Sequence, residues 1–132
     1  MLEKLIKKME DNIDSDDFEL IEEECIEKIE ESGFGLNAVE PLIKFMERHP
    51  LADFGAPGAI VHFVEKYYKN GYENILYQSI KRSPAMHTVW MLHRICNDKN
   101  SPDKFGKLLA ETAERNDIDN AISKSAKEFL GN

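Results

Sequence analysis

The fold class that the sequence predicts is all-α: about eight helices, either in stacked antiparallel hairpins of the HEAT or armadillo kind or in a compact irregular bundle. Three observations predict it. Apolar residues recur three and four positions apart along nearly the whole chain, the period of a helix with one buried face. Sustained alternation of period two is missing, as are hairpin dipeptides between β-branched runs, so no strand is expected. Gly, Pro, Ser and Asn-Asp punctuate the chain into segments of roughly 10–16 residues, an ordinary helix length, and the short links between them make neighbours antiparallel.

The first helix is expected over residues 1–12, with Leu2, Leu5, Ile6, Met9 and Ile13 on one stripe. The run DSDD breaks it and can cap the second helix, residues 16–31. That helix puts Phe18, Ile21, Cys25 and Ile29 on a buried stripe and Asp16, Glu19, Glu23, Glu27 and Glu30 on the opposite face. Gly33 is placed to end it in the left-handed region. Asn37 can cap a third helix, with Glu40 three residues on completing a capping box and Pro41 in the tolerant first turn. Leu42, Phe45 and Met46 are its apolar side, and His49-Pro50 closes it.

The stretch FGAPGAIVHFVEKYY, residues 54–68, then opens a fourth helix at Pro57 that runs to Asn70-Gly71. Ile60, Val61, Val64 and Tyr67 face inward, and Gly55 and Gly58 allow a tight approach of the chain. The fifth helix runs from Tyr72 to Arg82 with Ile75, Leu76 and Ile80 inward. SPAMHTVWMLHRICND (83–98) and SPDKFGKLLAETAERND (101–117) each open with a Ser cap and a Pro at the first helical position, and each closes on Asn-Asp. The last helix covers 118–130, with Ile118, Ile122, Ala126, Phe129 and Leu130 apolar and Gly131 as the stop. Helix pairs therefore recur near 37–69, 72–98 and 101–130. One domain over 1–132 is expected, an acidic hairpin (1–31) followed by a hairpin stack (37–130).

Charge is placed unevenly. Residues 1–31 hold 13 acidic and 4 basic side chains, a net of −9, whereas the rest holds 12 acidic and 13 basic, a net of +1. An acidic balance argues against nucleic-acid binding, which needs a basic footprint, and suits a basic protein partner. Either the acidic second helix is a solvated face or it is a docking face. Lys28 is the only base within it, and like charges four apart repel. No apolar run is long enough to span a membrane. The first residues lack a cleavable signal pattern, so a cytoplasmic location is expected. Cys25 and Cys96 lie on apolar helical phases without a CxxC spacing and are expected to be reduced core residues.

Chemistry-bearing motifs are few. FGAPG lacks the Gly-Lys-Ser/Thr ending of a phosphate loop, and no strand precedes it. His62 shares a face with Glu65, Lys66 and Lys69 but has no second histidine at a ligating spacing. It is a structural or solvent-facing residue, a partner contact, or, least supported, a catalytic or metal group. His87 and His93 flank Trp90, with Arg94 on the same side. This is either an Arg–Trp–His interaction cluster or a core Trp bordered by histidines. No catalytic residue, metal or cofactor is expected. The candidate partner-binding residues are Asp16, Glu19, Glu23, Glu27, Glu30, His62, Trp90 and Arg94.

HPLADFGAPGAIVHFVEKYY followed by YQSIKRSPAMHTVWMLHRICND, within residues 49–98, resembles small all-helical immunity proteins of bacterial polymorphic-toxin and contact-dependent growth inhibition systems. The likeness rests on FGxPGxxVHFxE and SPxxxTVWMLxR, with Ala85 and His93 departing from the residues usual at those places. The resemblance implies a cytoplasmic antidote that binds a cognate toxin domain and blocks its active site. Such toxins are often nucleases with basic clefts, which an acidic N-terminal face would suit. The other reading of the same surface is a helical adaptor or regulator with an unrelated protein partner.

Overall fold

A computed structural model describes residues 1–131. It contains eight α-helices and no strand among the described residues: α1 (Leu2–Asp11), α2 (Phe18–Glu31), α3 (Val39–Arg48), α4 (Ala59–Glu65), α5 (Tyr72–Arg82), α6 (Met86–Cys96), α7 (Asp103–Ala113) and α8 (Asn120–Leu130), with a 3-10 turn at Gly35–Ala38 before α3. The all-α expectation holds, and the arrangement is an irregular bundle. Helices α5–α6 and α7–α8 form the expected hairpins, with α6 against α7 and α8 and α5 against α7. The pairing expected near 37–69 takes a different form. Helix α3 packs on α1, α5 and α6, while α4 packs chiefly on α2. The physical reason is the ten-residue link 49–58, long enough to carry α4 across to the acidic helix instead of folding it back on α3.

One buried apolar cluster draws on all eight helices. Burying these side chains contributes about 1.5–3 kcal/mol for each large one, which sets the scale of what holds the bundle. At the cluster's heart Phe18 of α2, Phe45 of α3 and Phe54 of the 49–58 link pack mutually, Phe54 lying edge-on to Phe18 at 6.0 Å and to Phe45 at 5.5 Å between centroids. Edge-on packing is the arrangement the ring quadrupoles favour. Phe54 thus pins the middle of the long link into the core.

Several helix starts differ from their expected places. Gly33 and Gly35 both have positive φ (71° and 60°), and Asn37 falls inside the 3-10 turn with its N–H donating to the Phe34 carbonyl, so the capping box with Glu40 does not form. Pro57 is not the first residue of α4. The Ala56–Pro57 bond is cis, Gly58 takes the cap position at φ 96°, and the helix runs only from Ala59 to Glu65 before a series of turns. Ser83 is the C-cap of α5, because the proline after it holds its backbone out of the helical region (φ −161°, ψ 87°). Helix α6 is capped instead by Thr88, whose hydroxyl accepts from the Ala85 N–H at 2.9 Å. Pro102 occupies the cap position of α7 and is not within it. In α8 the carboxylate of Asp119 accepts from the Ala121 N–H at 2.8 Å, an ordinary N-cap that starts the helix two residues later than expected.

Gly58 is where the link is tightest. A β-carbon there would lie 1.7 Å from the Phe54 carbonyl oxygen, and the residue sits at positive φ. Gly33 also has positive φ but opens onto free space. The expected outcome is that Gly58→Ala lowers the unfolding free energy by about 3 kcal/mol or more and Gly33→Ala by only about 1 kcal/mol. Urea unfolding followed by circular dichroism checks both.

Candidate functional site

The site is built where α2 meets the start of α4. Helix α2 presents Phe18, Cys25, Ile26 and Ile29 to the core, and Glu22 falls on the same phase and is buried with them (1% exposed). Its Oε2 accepts a hydrogen bond from the Ile60 N–H at 3.0 Å, one of the donors that the first turn of a helix leaves unpaired. Its Oε1 has no protein partner among the described residues. Burial pushes the Glu22 carboxyl up, to about 7, against the pull of the Ile60 amide; Glu19 adds to the rise, the Ala59 amide opposes it, and Glu23 adds a little more. Around neutral pH this carboxyl is therefore divided between its charged and neutral forms.

The link before α4 is tied down from the other side. The Asp53 carboxylate accepts from the Gly55 N–H at 2.8 Å. His87 of α6, buried and edge-on to Phe54, reaches the Pro57 carbonyl at 3.1 Å through Nε2, which must carry the proton because a carbonyl only accepts. Phe54, Pro57 and Ile60 are thus held by the core, by α6 and by α2 in turn. The result is a fixed path for the chain into α4.

On this frame the sequence-predicted residues separate into three places. Glu23, Glu27 and Glu30 line a surface groove between α2 and α4, together with Ile26, Gly58, Ala59 and His62. His62 is exposed there, on the acidic side of α4. Asp16 precedes α2, contrary to expectation, and joins Glu19 in a second hollow with Asp14 and Asp53, walled by Ile13 and Phe18. The acids at 16, 19, 23, 27 and 30 are all exposed. Of these only Glu30 has a cationic partner, Lys66, among the described residues. Elsewhere the bundle pairs its charges across helices: Arg48 and His49 with Glu10, Arg82 with Glu47, Arg94 with Glu65. The contrast marks the α2 face as the surface whose charge the fold leaves uncompensated.

Trp90 and Arg94 lie apart from this groove. Trp90 is half-buried and edge-on to His87 at 5.4 Å, and the Arg94 guanidinium carbon stands 5.9 Å from the Trp90 ring centroid. Arg94 spends two of its nitrogens on both oxygens of Glu65. His93 leaves the cluster and stacks on Phe129 of α8, at 4.3 Å and 10°. Both proposed readings are therefore met in part: His87 is core, and Arg94 with Trp90 reaches the surface. Cys25 is buried, Cys96 is half-buried, and both thiols are free, each held above its usual range by burial. Among the described residues no group of three or more His, Cys, Asp or Glu side chains is placed to hold a metal ion. No helix is long and apolar enough to cross a membrane.

Compared with protein-family models, with curated proteins and with solved structures, the chain finds no match in any of the three. What the surface can do must therefore be read from its own geometry.

Glu22 was not among the residues singled out from the sequence. Its spacing carried the signal: four after Phe18, three before Cys25 and seven before Ile29, it is a charge on the apolar phase of the helix. Because its folded pKa lies above the unfolded value, its contribution to stability is fully present below about pH 4.5 and is lost as pH rises through about 7. The expected outcome is that Glu22→Gln, which can still accept from Ile60, gains on the wild type by about 2–3 kcal/mol between those pH values and holds a constant lead above them. Denaturant unfolding at a series of pH values checks this.

Proposed function

We propose that this chain is a binding protein of the immunity type, which neutralises a cognate bacterial toxin domain through a non-covalent complex. The docking surface is the acidic face of α2 together with the groove it forms against α4. The observation that carries the reading is the row of exposed carboxylates at 16, 19, 23 and 27, which stand without a cation beside them while carboxylates on other faces are paired. Keeping like charges together costs stability, and a basic partner offsets that cost. The resemblance of residues 49–98 to immunity proteins names the kind of partner, and nucleases, whose clefts are basic, are the leading toxin class.

In this reading α2 supplies steering and complementarity, and His62 sits where a partner side chain would enter the groove. Leu20, exposed on α2 among these acids, adds an apolar contact. Long-range attraction between an acidic face and a basic cleft raises the association rate and makes it sensitive to salt. A stable complex of this kind buries on the order of 1,200–2,000 Å². No chemistry is required of the chain itself, since occupying the cleft is enough.

The test uses the toxin domain encoded beside this chain's gene. Titrating the protein into that domain is expected to abolish toxin activity at a one-to-one ratio, and undiminished toxin activity would overturn the proposal. Reversing charge with Glu19→Lys, Glu23→Lys and Glu27→Lys together is expected to weaken binding about tenfold or more at low salt and to flatten its salt dependence. Unchanged affinity and salt slope would move the interface off α2.

A further inference from the structure

A second candidate site stands away from the acidic face and does not depend on it. A cleft of about 370 Å³ is lined by Glu65, Tyr68, Tyr72, Arg94, Ile95 and Asn97, where the end of α4 and the turns after it meet α5 and α6. That volume is within the range of small-molecule pockets, roughly 300–1,000 Å³. Tyr72 is the largest fully buried side chain of the protein, and its hydroxyl has no hydrogen-bond partner among the described residues. Burial holds the phenol protonated, and the charges that act on it most are Glu65 and Arg94, so its hydroxyl end lies toward the cleft and not toward the apolar interior.

The unused hydrogen-bonding capacity of the cleft is one-sided. Both oxygens of Glu65 already accept from Arg94, at 2.7 and 2.9 Å, and Asp98, beside the cleft, accepts from the Tyr68 hydroxyl at 2.5 Å. What is left over is chiefly donors: the Tyr72 O–H, the remaining Arg94 N–H groups and the Asn97 side-chain amide. Their net charge is nil, because Glu65 cancels Arg94. The walls are two tyrosine rings and Ile95. A group that accepts hydrogen bonds, carries no charge and is flat satisfies all three conditions. An anion would gain nothing from a guanidinium already paired, and a cation would meet donors.

We propose that this cleft binds a planar, uncharged carbonyl compound of the carboxamide class, with the carbonyl oxygen accepting from the Tyr72 hydroxyl and from Arg94, and the flat face lying on the tyrosine rings. The Glu65–Arg94 pair acts here as a positioning element that fixes the guanidinium without lending it net charge. Holding Tyr72 with an unsatisfied hydroxyl costs the free protein stability, which is the usual mark of a group kept for a ligand.

The experiment is a titration of the ¹⁵N-labelled full chain with benzamide, benzoate and benzylamine as probes. Benzamide is expected to shift the amides of Tyr72, Ile95 and Asn97 saturably, with the two charged probes at least about tenfold weaker. Tyr72→Phe is expected to weaken benzamide about fivefold while melting no lower than the wild type, since the hydroxyl it loses has no partner in the free protein. Asn97→Ala, at an exposed position, carries the same binding test should Tyr72→Phe fold poorly. Absence of saturable shifts, equal binding of benzoate or benzylamine, or benzamide affinity unchanged in both variants would overturn the proposal.

Discussion

The buried carboxylate of Glu22 on the first turn of α4 is the contact on which the geometry of the candidate surface depends. A seven-residue helix has little stability of its own, because nucleation costs more than so short a run of hydrogen bonds returns. It exists here because its inner face is buried and because its start is held. Glu22 supplies the acceptor that an N-terminal turn lacks, and it does so from the helix that carries the acidic face. Moving α4 would therefore uncover both an orphan amide and an orphan carboxylate.

A buried carboxyl is a poor source of stability. Burial raises its pKa, and at neutral pH the protein bears part of the cost of keeping a charge out of water. What the arrangement gives in return is position. Apolar packing alone lets a short helix slide or rotate among similar arrangements, whereas a hydrogen bond from Ile60 to Glu22 accepts one. The cis Ala56–Pro57 bond, the positive φ of Gly58 and the His87 contact to Pro57 bring the chain to that place from the other direction. The exposed acids are then carried on a frame set by buried polar contacts, and their charge is turned outward because the inward acceptor position is taken by Glu22.

Helix α5 was legible to the residue, from Tyr72 to Arg82, because glycine precedes it and Ser-Pro follows it. The inward stripes of α1 and α3 were legible for the same reason: period and punctuation agree there. The start of α4 was not. Proline at the opening of an apolar run reads as a first helical residue, yet here it stands one turn early, because the peptide geometry of Ala56–Pro57 and Gly58 is set by tertiary contacts that no local pattern reports. The partner of α4 was hidden for a related reason. Segment lengths implied a hairpin with α3, whereas the ten residues between them let burial against α2 win. Among the candidate residues, spacing alone put Glu23, Glu27 and Glu30 on one face, but their meeting with His62 follows from that crossing of α4 and could not be read from either helix separately. Tyr72 read as the first residue of a helix, and nothing local told that its hydroxyl would be left without a partner.

The account stands on Glu22 being a buried, hydrogen-bonded carboxyl and not one more solvated acid of α2. A ¹³C titration of the glutamate side-chain carboxyls tests it directly. Glu22 is expected to titrate near pH 7, well above Glu23 and Glu27 on the same helix, with the Ile60 amide proton shifting along the same curve. A Glu22 carboxyl that titrates near 4.5 with its neighbours, and an Ile60 amide that does not follow it, would contradict the account.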